Sequence, residues 1–206
     1  DYASPQYGTI KSSENYERRF IMTFPNETLP KGRKQKTTAL YDRFVSQGAV
    51  MGDSFGLENV LWFANNKEDA HEEPTIKRSR SHDYVSKEVQ NVRENVGAIE
   101  VANFSKHEFK GPDARKFLDY ILAGKLPKKG RISLSPMLTY RGKLYGDLTV
   151  ACFDENDFMV FGSGAAQEMH RRWFESHIGK FDLNYINRSD EYHGLSIAGP
   201  NSRKVL

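Results

Sequence analysis

A hydrophobic stretch that contains a single internal acid, residues 142–164, constrains this chain more than any other part of its sequence. Apolar residues dominate Leu144–Phe153, an acidic turn follows, and apolar residues return at Phe158–Phe161. This pattern predicts two central strands joined as a hairpin, with apolar side chains to bury on both faces. Asp147, at the start of the first strand, must then be exposed at the rim, satisfied by donors, or placed to meet a ligand.

Helices and further strands are predicted on both sides of this hairpin. The predicted helices are Thr38–Gln47, Ser81–Asn95, Pro112–Gly124 and Ala165–Ile178, the last with Met169, Trp173 and Phe174 facing inward. The predicted strands are Ile99–Phe104, Ser105–Lys110, Ile132–Thr139 and His193–Ala198. From about residue 97 this order is a split βαβ pattern, typical of α+β proteins with an antiparallel or mixed sheet. A last helix begins at Pro200 and stops at Leu206 after less than two turns, so we expect the fold to be truncated at its C-terminus.

Composition limits the class of protein. A hydrophobic fraction of 38% is enough for a sizeable core, and a net charge of +3 is too small for a dedicated nucleic-acid binder. No window reaches the run of about 18 apolar residues that a membrane helix needs, and no apolar signal core is present. Cys152 is the single cysteine, which excludes a disulfide framework and fits a reducing compartment. We therefore expect a soluble protein of the cytoplasm or, in a eukaryote, of the mitochondrial matrix, with no membrane or nucleic-acid partner.

Several familiar site chemistries find little support. Gly162–Gly164 lacks the third glycine of a dinucleotide fingerprint, and a tight turn before a helix is favoured over an anion site there. His170 and His177 are seven residues apart instead of four, so no metal site is predicted. Ser163 and Ser196 lack the sequence context of a nucleophilic serine. What the residues themselves predict is an approach of the acid in the hairpin to the glycine turn across from it.

Several runs of residues, taken in order, carry a resemblance to a known family. They are Glu100–Ala114, Gly130–Leu134, Pro136–Thr139, Gly142–Val150, His170–Glu175 and Gly194–Pro200. Together they resemble the folate-binding domain of the glycine-cleavage T-protein (aminomethyltransferase), in the version fused to dimethylglycine and sarcosine dehydrogenases. Earlier runs resemble the segment that joins the flavin part to the folate part: Tyr41–Phe44, Gly48–Gly52 and Trp62–Phe63. The resemblance implies a T-protein-like α+β fold, with a linker or arm over residues 1–74 and the N-terminal portion of the folate-binding domain over residues 75–206.

The resemblance also implies an activity and its site. The family binds tetrahydrofolate and transfers to it a one-carbon unit from an iminium or formaldehyde equivalent, which gives 5,10-methylenetetrahydrofolate in the catabolism of methylated glycines. The family's essential acid falls on Asp147, where a carboxylate suits an attacking amine that must lose a proton. Phe104, Leu134, Val160 and Ser163 match positions that line the pterin pocket, although many relatives have a tyrosine in place of Leu134.

Two other functions remain open from the sequence. One is a non-catalytic folate-binding or interaction module of the same fold, and the other is a related demethylase that takes a methyl group from a sulfonium substrate. The expected partners are folate, a substrate derived from a methylated amine, and a flavin dehydrogenase part in cis or in trans. FAD is expected only in a part that this chain does not include, and no metal is expected.

Overall fold

The computed structural model describes residues 4–25 and 27–206. Residues 1–3 and 26 of the predicted linker therefore lie outside the described residues. The chain divides into two compact units, one that runs to Glu100 and includes Leu195–Leu206, and one formed by Val101–Gly194. This division is defined by packing. The boundary between a linker over residues 1–74 and a folate-binding domain over residues 75–206 was implied by the resemblance, and it stays a prediction.

Six helices and nine strands are assigned within the described residues. In chain order the helices are α1 Pro5–Glu17, α2 Tyr41–Ser46, α3 Ser81–Glu94, α4 Ala114–Ile121, α5 Gln167–Ile178 and α6 Ser202–Val205. The strands are β1 Ala49–Ser54, β2 Leu57–Phe63, β3 Gly97–Glu100, β4 Ser105–Lys110, β5 Arg131–Leu138, β6 Leu144–Asp154, β7 Asp157–Gly162, β8 Asn184–Asn187 and β9 Leu195–Ala198. Among these described helices, none has the length and apolar character needed to span a bilayer.

The first unit is built around the antiparallel hairpin β1–β2, which the sequence analysis did not assign. Val50, Trp62 and Ala64 form its small core, and Tyr84 of α3 lies with its ring centroid 4.9 Å from that of Trp62. Strands β3 and β9 pair antiparallel in the same unit. The helix α3 has the predicted bounds to within a residue, yet it buries none of its side chains fully.

Helix α1 was not predicted, because it lacks an apolar face. Its N-terminus is capped by the Ser4 hydroxyl, which accepts a hydrogen bond from the Tyr7 backbone N–H. Its buried residue is Glu14, whose carboxylate accepts hydrogen bonds from the Lys31 backbone N–H at 2.8 Å and from Lys11 Nζ at 3.1 Å. Polar contacts, which hydrophobic periodicity does not detect, therefore hold this helix in place.

The second unit contains a five-stranded antiparallel sheet with the strand order β5-β6-β7-β4-β8. One face of this sheet packs against α4 and α5 around a core that includes Phe109, Phe117, Val150, Phe158 and Phe174. The predicted hairpin is confirmed as β6 and β7, and the α+β class is confirmed. Strand β8 was missed, since its sequence is short and mostly polar.

The helices of the second unit follow the predicted periodicity with one error. In α4 the predicted stripe is buried, including Phe117 and Leu118. In α5 Phe174 is fully buried as predicted, but Met169 is 39% exposed and the neighbouring His170 lies inside instead. The prediction for Met169 was wrong because it followed hydrophobicity, whereas the helix rotation brings the imidazole against the sheet.

Candidate functional site

Asp147 lies on the face of the sheet that points away from α4 and α5. Along β6, Gly146, Leu148 and Val150 are buried, and Asp147 between them is exposed, as the period of two in a strand requires. Within residues 4–25 and 27–206, no group forms a hydrogen bond or an ion pair with the Asp147 carboxylate. Of the three possibilities for this acid, the structure thus excludes satisfaction by donors of the described chain.

The edge strand β5 places apolar side chains beside this carboxylate. Asp147 is paired with Pro136, and Leu134 is paired with Thr149. Leu134 therefore lies on the same face as the acid and diagonal to it. Diagonal neighbours in an antiparallel pair have backbones about 7–8 Å apart. Its side chain is 70% exposed. Pro136 is tolerated at this position because β5 is at the edge of the sheet.

The pairing of β6 with β7 brings the glycine turn to the level of the acid. Thr149 is paired with Phe161, so the same register continued by two residues sets Asp147 level with Ser163. Ser163 is exposed, and its side chain does not cap the turn that begins at Gly164. The structure therefore brings together the two segments that the sequence analysis expected to approach each other.

The pairing of β4 with β7 brings Phe104 to the same end of the sheet. Ser105 is paired with Gly162, so Phe104, one residue earlier, stands level with Ser163. The Phe104 side chain is 48% exposed. The starts of β4 and β6 and the end of β7 therefore lie at the same end of the sheet. This end carries the phenyl ring of Phe104, the hydroxyl of Ser163 and the carboxylate of Asp147.

A buried lysine holds the segment that carries Phe104. Lys106 is 4% exposed, and its Nζ donates hydrogen bonds to the backbone oxygens of Phe104 at 2.7 Å and Ala102 at 3.1 Å. The next residue of the same segment, Asn103, packs so tightly on Gly164 that a methyl group placed there would lie 1.9 Å from the Asn103 carbonyl oxygen. Hydrophobic periodicity does not reveal this contribution, and the only signal for it in the sequence is a lysine inside a predicted strand.

Val160 lies on the opposite face from the acid. It is paired with Val150, is fully buried, and belongs to the core beneath the sheet. Its side chain supports the strands of the site from behind and does not share the exposed surface of Asp147 and Leu134.

A β-bulge precedes the acid. Met137 is paired with Gly146 and Leu138 with Leu144, which leaves Tyr145 as an extra residue in β6. Bulges of this kind bend a strand and re-aim the side chains that follow, and they are frequent beside functional sites.

Two buried histidines lie behind this edge of the sheet. His170 of α5 is 2% exposed, and a methyl group placed on Gly146 or on Gly162 would lie 2.8 or 2.9 Å from its ring nitrogens. Burial lowers the pKa of His170, and the nearby backbone of Tyr145 raises it by a smaller amount. Neither ring nitrogen of His170 has a partner within hydrogen-bonding geometry among the described residues. Burial also lowers the pKa of His107, to about 3. Both imidazoles are therefore neutral at physiological pH.

The arrangement places a carboxylate that can accept hydrogen bonds on the same surface as exposed apolar side chains. Leu134 lies diagonal to Asp147, and Phe104 lies two strands away at the same end of the sheet. Within the described chain, no group of three or more His, Cys, Asp and Glu side chains is arranged to hold a metal ion.

Known proteins resemble this chain over most of its length. The chain is 33% identical over its whole length to the mitochondrial dimethylglycine dehydrogenase of Mus musculus, of which it spans 24%. Over 83% of its length it is 27% identical to an aminomethyltransferase of Staphylococcus epidermidis, of which it spans 42%. Both relatives are enzymes by name, and the chain spans less than half of either.

A solved structure shows the same fold. The crystal structure of the glycine cleavage system aminomethyltransferase T from Bartonella henselae matches with a TM-score of 0.68 at 23% identity, over 82% of this chain and 42% of that one. Residues 40–206 also match the family described as the GCVT N-terminal domain. Because that match covers most of the chain, including Asp147, Leu134, Phe104 and Ser163, the chain belongs to the GCVT N-terminal domain family.

Proposed function

We propose that this chain forms part of a tetrahydrofolate site at which a one-carbon unit is transferred from an iminium or formaldehyde equivalent to give 5,10-methylenetetrahydrofolate. The observation that carries the proposal is the Asp147 carboxylate. It is exposed, has no partner in the described chain, and lies at the end of the sheet shared by β4, β6 and β7. Membership of the GCVT N-terminal domain family supports it, as do relatives named dimethylglycine dehydrogenase and aminomethyltransferase.

Each residue of the site has a role that follows from its position. Tetrahydrofolate supplies the amine nitrogens that receive the carbon unit. When the first folate nitrogen bonds to the electrophilic carbon, Asp147 stabilises the cationic adduct and accepts the proton that this nitrogen loses. The proton is then returned to the donor nitrogen, whose bond to the carbon breaks so that it leaves as an amine, and the second folate nitrogen bonds to the carbon and loses its own proton. Leu134 and Phe104 provide apolar surface for the ring, and Ser163 offers a hydroxyl at the same level of the sheet. Val160 packs behind them.

The proposed setting is the catabolism of methylated glycines, in which a flavin dehydrogenase part, in cis or in trans, supplies the iminium. FAD belongs to that part. The proposed compartment is the bacterial cytoplasm or, in a eukaryote, the mitochondrial matrix. The free, buried thiol of Cys152 is compatible with either reducing compartment.

A second candidate is a folate-binding or interaction module without turnover. The observation in its favour is Leu134, which is 70% exposed and has no hydrogen-bonding group, at the position where the resemblance implies a tyrosine. Such a module would bind a ring on this face but would not gain from the acid.

Calorimetry and a transfer assay together test the proposal. Tetrahydrofolate is titrated into this chain and into a longer chain that continues past Leu206, and transfer from an iminium donor is followed above the uncatalysed rate. We expect the longer chain to bind and to transfer. Binding without transfer would favour the module, and the absence of binding in both chains would reject the folate site. Transfer only from a sulfonium donor would identify a demethylase instead.

A further inference from the structure

Three buried side chains behind the proposed site hold polar atoms that have no hydrogen-bond partner among the described residues. These atoms are Ser105 Oγ, His107 Nε2 and both ring nitrogens of His170. The three side chains are almost completely inaccessible from outside. Buried polar groups in native proteins are paired with protein or with ordered water, so several unpaired groups in one place call for a common explanation.

The three side chains lie near one another on the core face of the sheet. Ser105 and His107 are two residues apart on β4 and therefore project to the same side. Gly162 is paired with Ser105, and a methyl group on Gly162 would lie 2.9 Å from His170 Nδ1. The ring centroids of His107 and His170 are 6.4 Å apart, which is too far for a direct hydrogen bond in most orientations and suits a bridge of one small molecule.

The hydrogen-bonding capacity of these three side chains is mixed. His107 Nδ1 is 2.8 Å from the Tyr185 hydroxyl, which leaves Nε2 to face the interior. Each histidine is neutral, so each ring has one donor and one acceptor nitrogen, and the Ser105 hydroxyl can donate and accept. Water is the ligand that satisfies such a set of neutral donors and acceptors without adding charge to the core.

We propose that Ser105, His107 and His170 bind an ordered internal water molecule behind the edge of the sheet. A buried water makes about three hydrogen bonds on average, which matches the number of side chains that need a partner here. The proposed site is formed by buried polar side chains, on the opposite face of the sheet from Asp147.

This water has a consequence for the proposed active site. It fixes the ring of His170, and that ring lies against Gly146 and Gly162, the residues that precede Asp147 and Ser163. His170 is then a positioning residue that sets the spacing of the two segments from behind the sheet. This consequence, unlike the water site itself, rests on the proposed function.

The sign of a stability change tests the water site. If the Ser105 hydroxyl is bound to water, Ser105→Ala removes a hydrogen bond and lowers Tm by about 2–4 °C. If the hydroxyl is unpartnered, removing it raises Tm, and the proposal is wrong. Ser135→Ala is the matched control, because the equally buried Ser135 hydroxyl accepts a hydrogen bond from the Gly124 backbone N–H at 2.9 Å.

Crystallography and kinetics complete the test. We expect electron density for a water within hydrogen-bonding distance of the three side chains, and the absence of such density would overturn the proposal.

The positioning role is tested with the same substitution. Ser105→Ala should shift the amide NMR resonances of Gly146 and Asp147, and it should slow transfer several-fold at unchanged tetrahydrofolate affinity. Ser135→Ala, at a similar loss of Tm, should do neither. Absence of transfer by the longer wild-type chain would reject the proposed function and leave the density and the Tm test of the water intact. Unshifted amide resonances would reject the positioning role.

Discussion

The two faces of the five-stranded sheet use the same strands for different purposes. On the face toward α4 and α5, Leu148 and Val160 are fully buried. On the other face, at the end formed by β5 and the start of β6, Leu134 is largely exposed and Asp147 is exposed without a partner in the described chain. Since neighbouring residues of one strand belong to different faces, stability and chemistry can be changed separately by substitutions one residue apart.

The sharpest way to break this separation is Asp147→Asn. We expect transfer to fall by about 10²–10⁴-fold, the usual contribution of a positioned acid or base, while the free energy of unfolding changes by less than about 0.5 kcal/mol. Rates from an iminium donor and urea unfolding provide the two measurements. Asp119→Asn, at an exposed position on α4, is the control and should change neither quantity. Full transfer by Asp147→Asn would remove this residue from the mechanism.

A pair of leucines compares the faces directly. Leu148→Ala should lower the free energy of unfolding by about 2–5 kcal/mol because it opens a cavity in the core. Leu134→Ala should lower it by less than about 0.5 kcal/mol, since the side chain is mostly exposed. Both values come from denaturant unfolding at one pH. Equal costs for the two substitutions would show that the exposed face is covered in solution.

The close contact between Gly164 and Asn103, which precedes Phe104, gives a third comparison. Gly164→Ala forces a methyl group against the Asn103 carbonyl oxygen and should cost about 1–3 kcal/mol. Gly179→Ala is the control, because a methyl group there meets no atom within 4 Å. A neutral Gly164→Ala would mean that the segment moves away easily and that Phe104 is not held at the site.

The smallest expected effect is a pH dependence that originates in the core. The folded-state pKa of His107, about 3, is below the value of about 6.5 for an unfolded histidine, so between these values the unfolded chain binds a proton that the native chain does not. The free energy of unfolding therefore decreases as pH falls, by about 1 kcal/mol between pH 6.5 and 5.5 from this residue. Comparing wild type with His107→Phe over this range should show that difference, and Phe174→Leu should retain the wild-type slope. Identical slopes in wild type and His107→Phe would contradict the assignment.

The fold could be predicted where burial follows a period. The hairpin β6–β7 and the helix α4 have apolar residues at regular spacing, and both were found with nearly the right bounds. Helix α1 and strand β8 have no such pattern, because a buried Glu14 and backbone pairing hold them. Met169 and His170 show the limit within a correct helix, since periodicity fixed the spacing of the buried face but not which residue occupies it.

The candidate site could be predicted only in part. The alternation of side chains between the two faces of one strand follows from the order of residues, but the pairing of strands joins segments that are far apart in sequence. Asp147 was identified from its place in the hairpin. The position of Phe104 level with Ser163 depends on the pairing of β4 with β7, two strands that are separated in sequence by α4, β5 and β6. The face of Val160 and the burial of Lys106 likewise depend on which strands are neighbours.

The bulge at Tyr145 bears on how this region tolerates insertions and deletions. The orientation of Asp147 is set by its pairing with Pro136, and the bulge lies between that pair and the turn at residues 139–143. A residue gained or lost in the turn can therefore be absorbed by enlarging or removing the bulge, without a shift in register further along β6. The turn is then free to diverge in length among relatives while the carboxylate keeps facing outward.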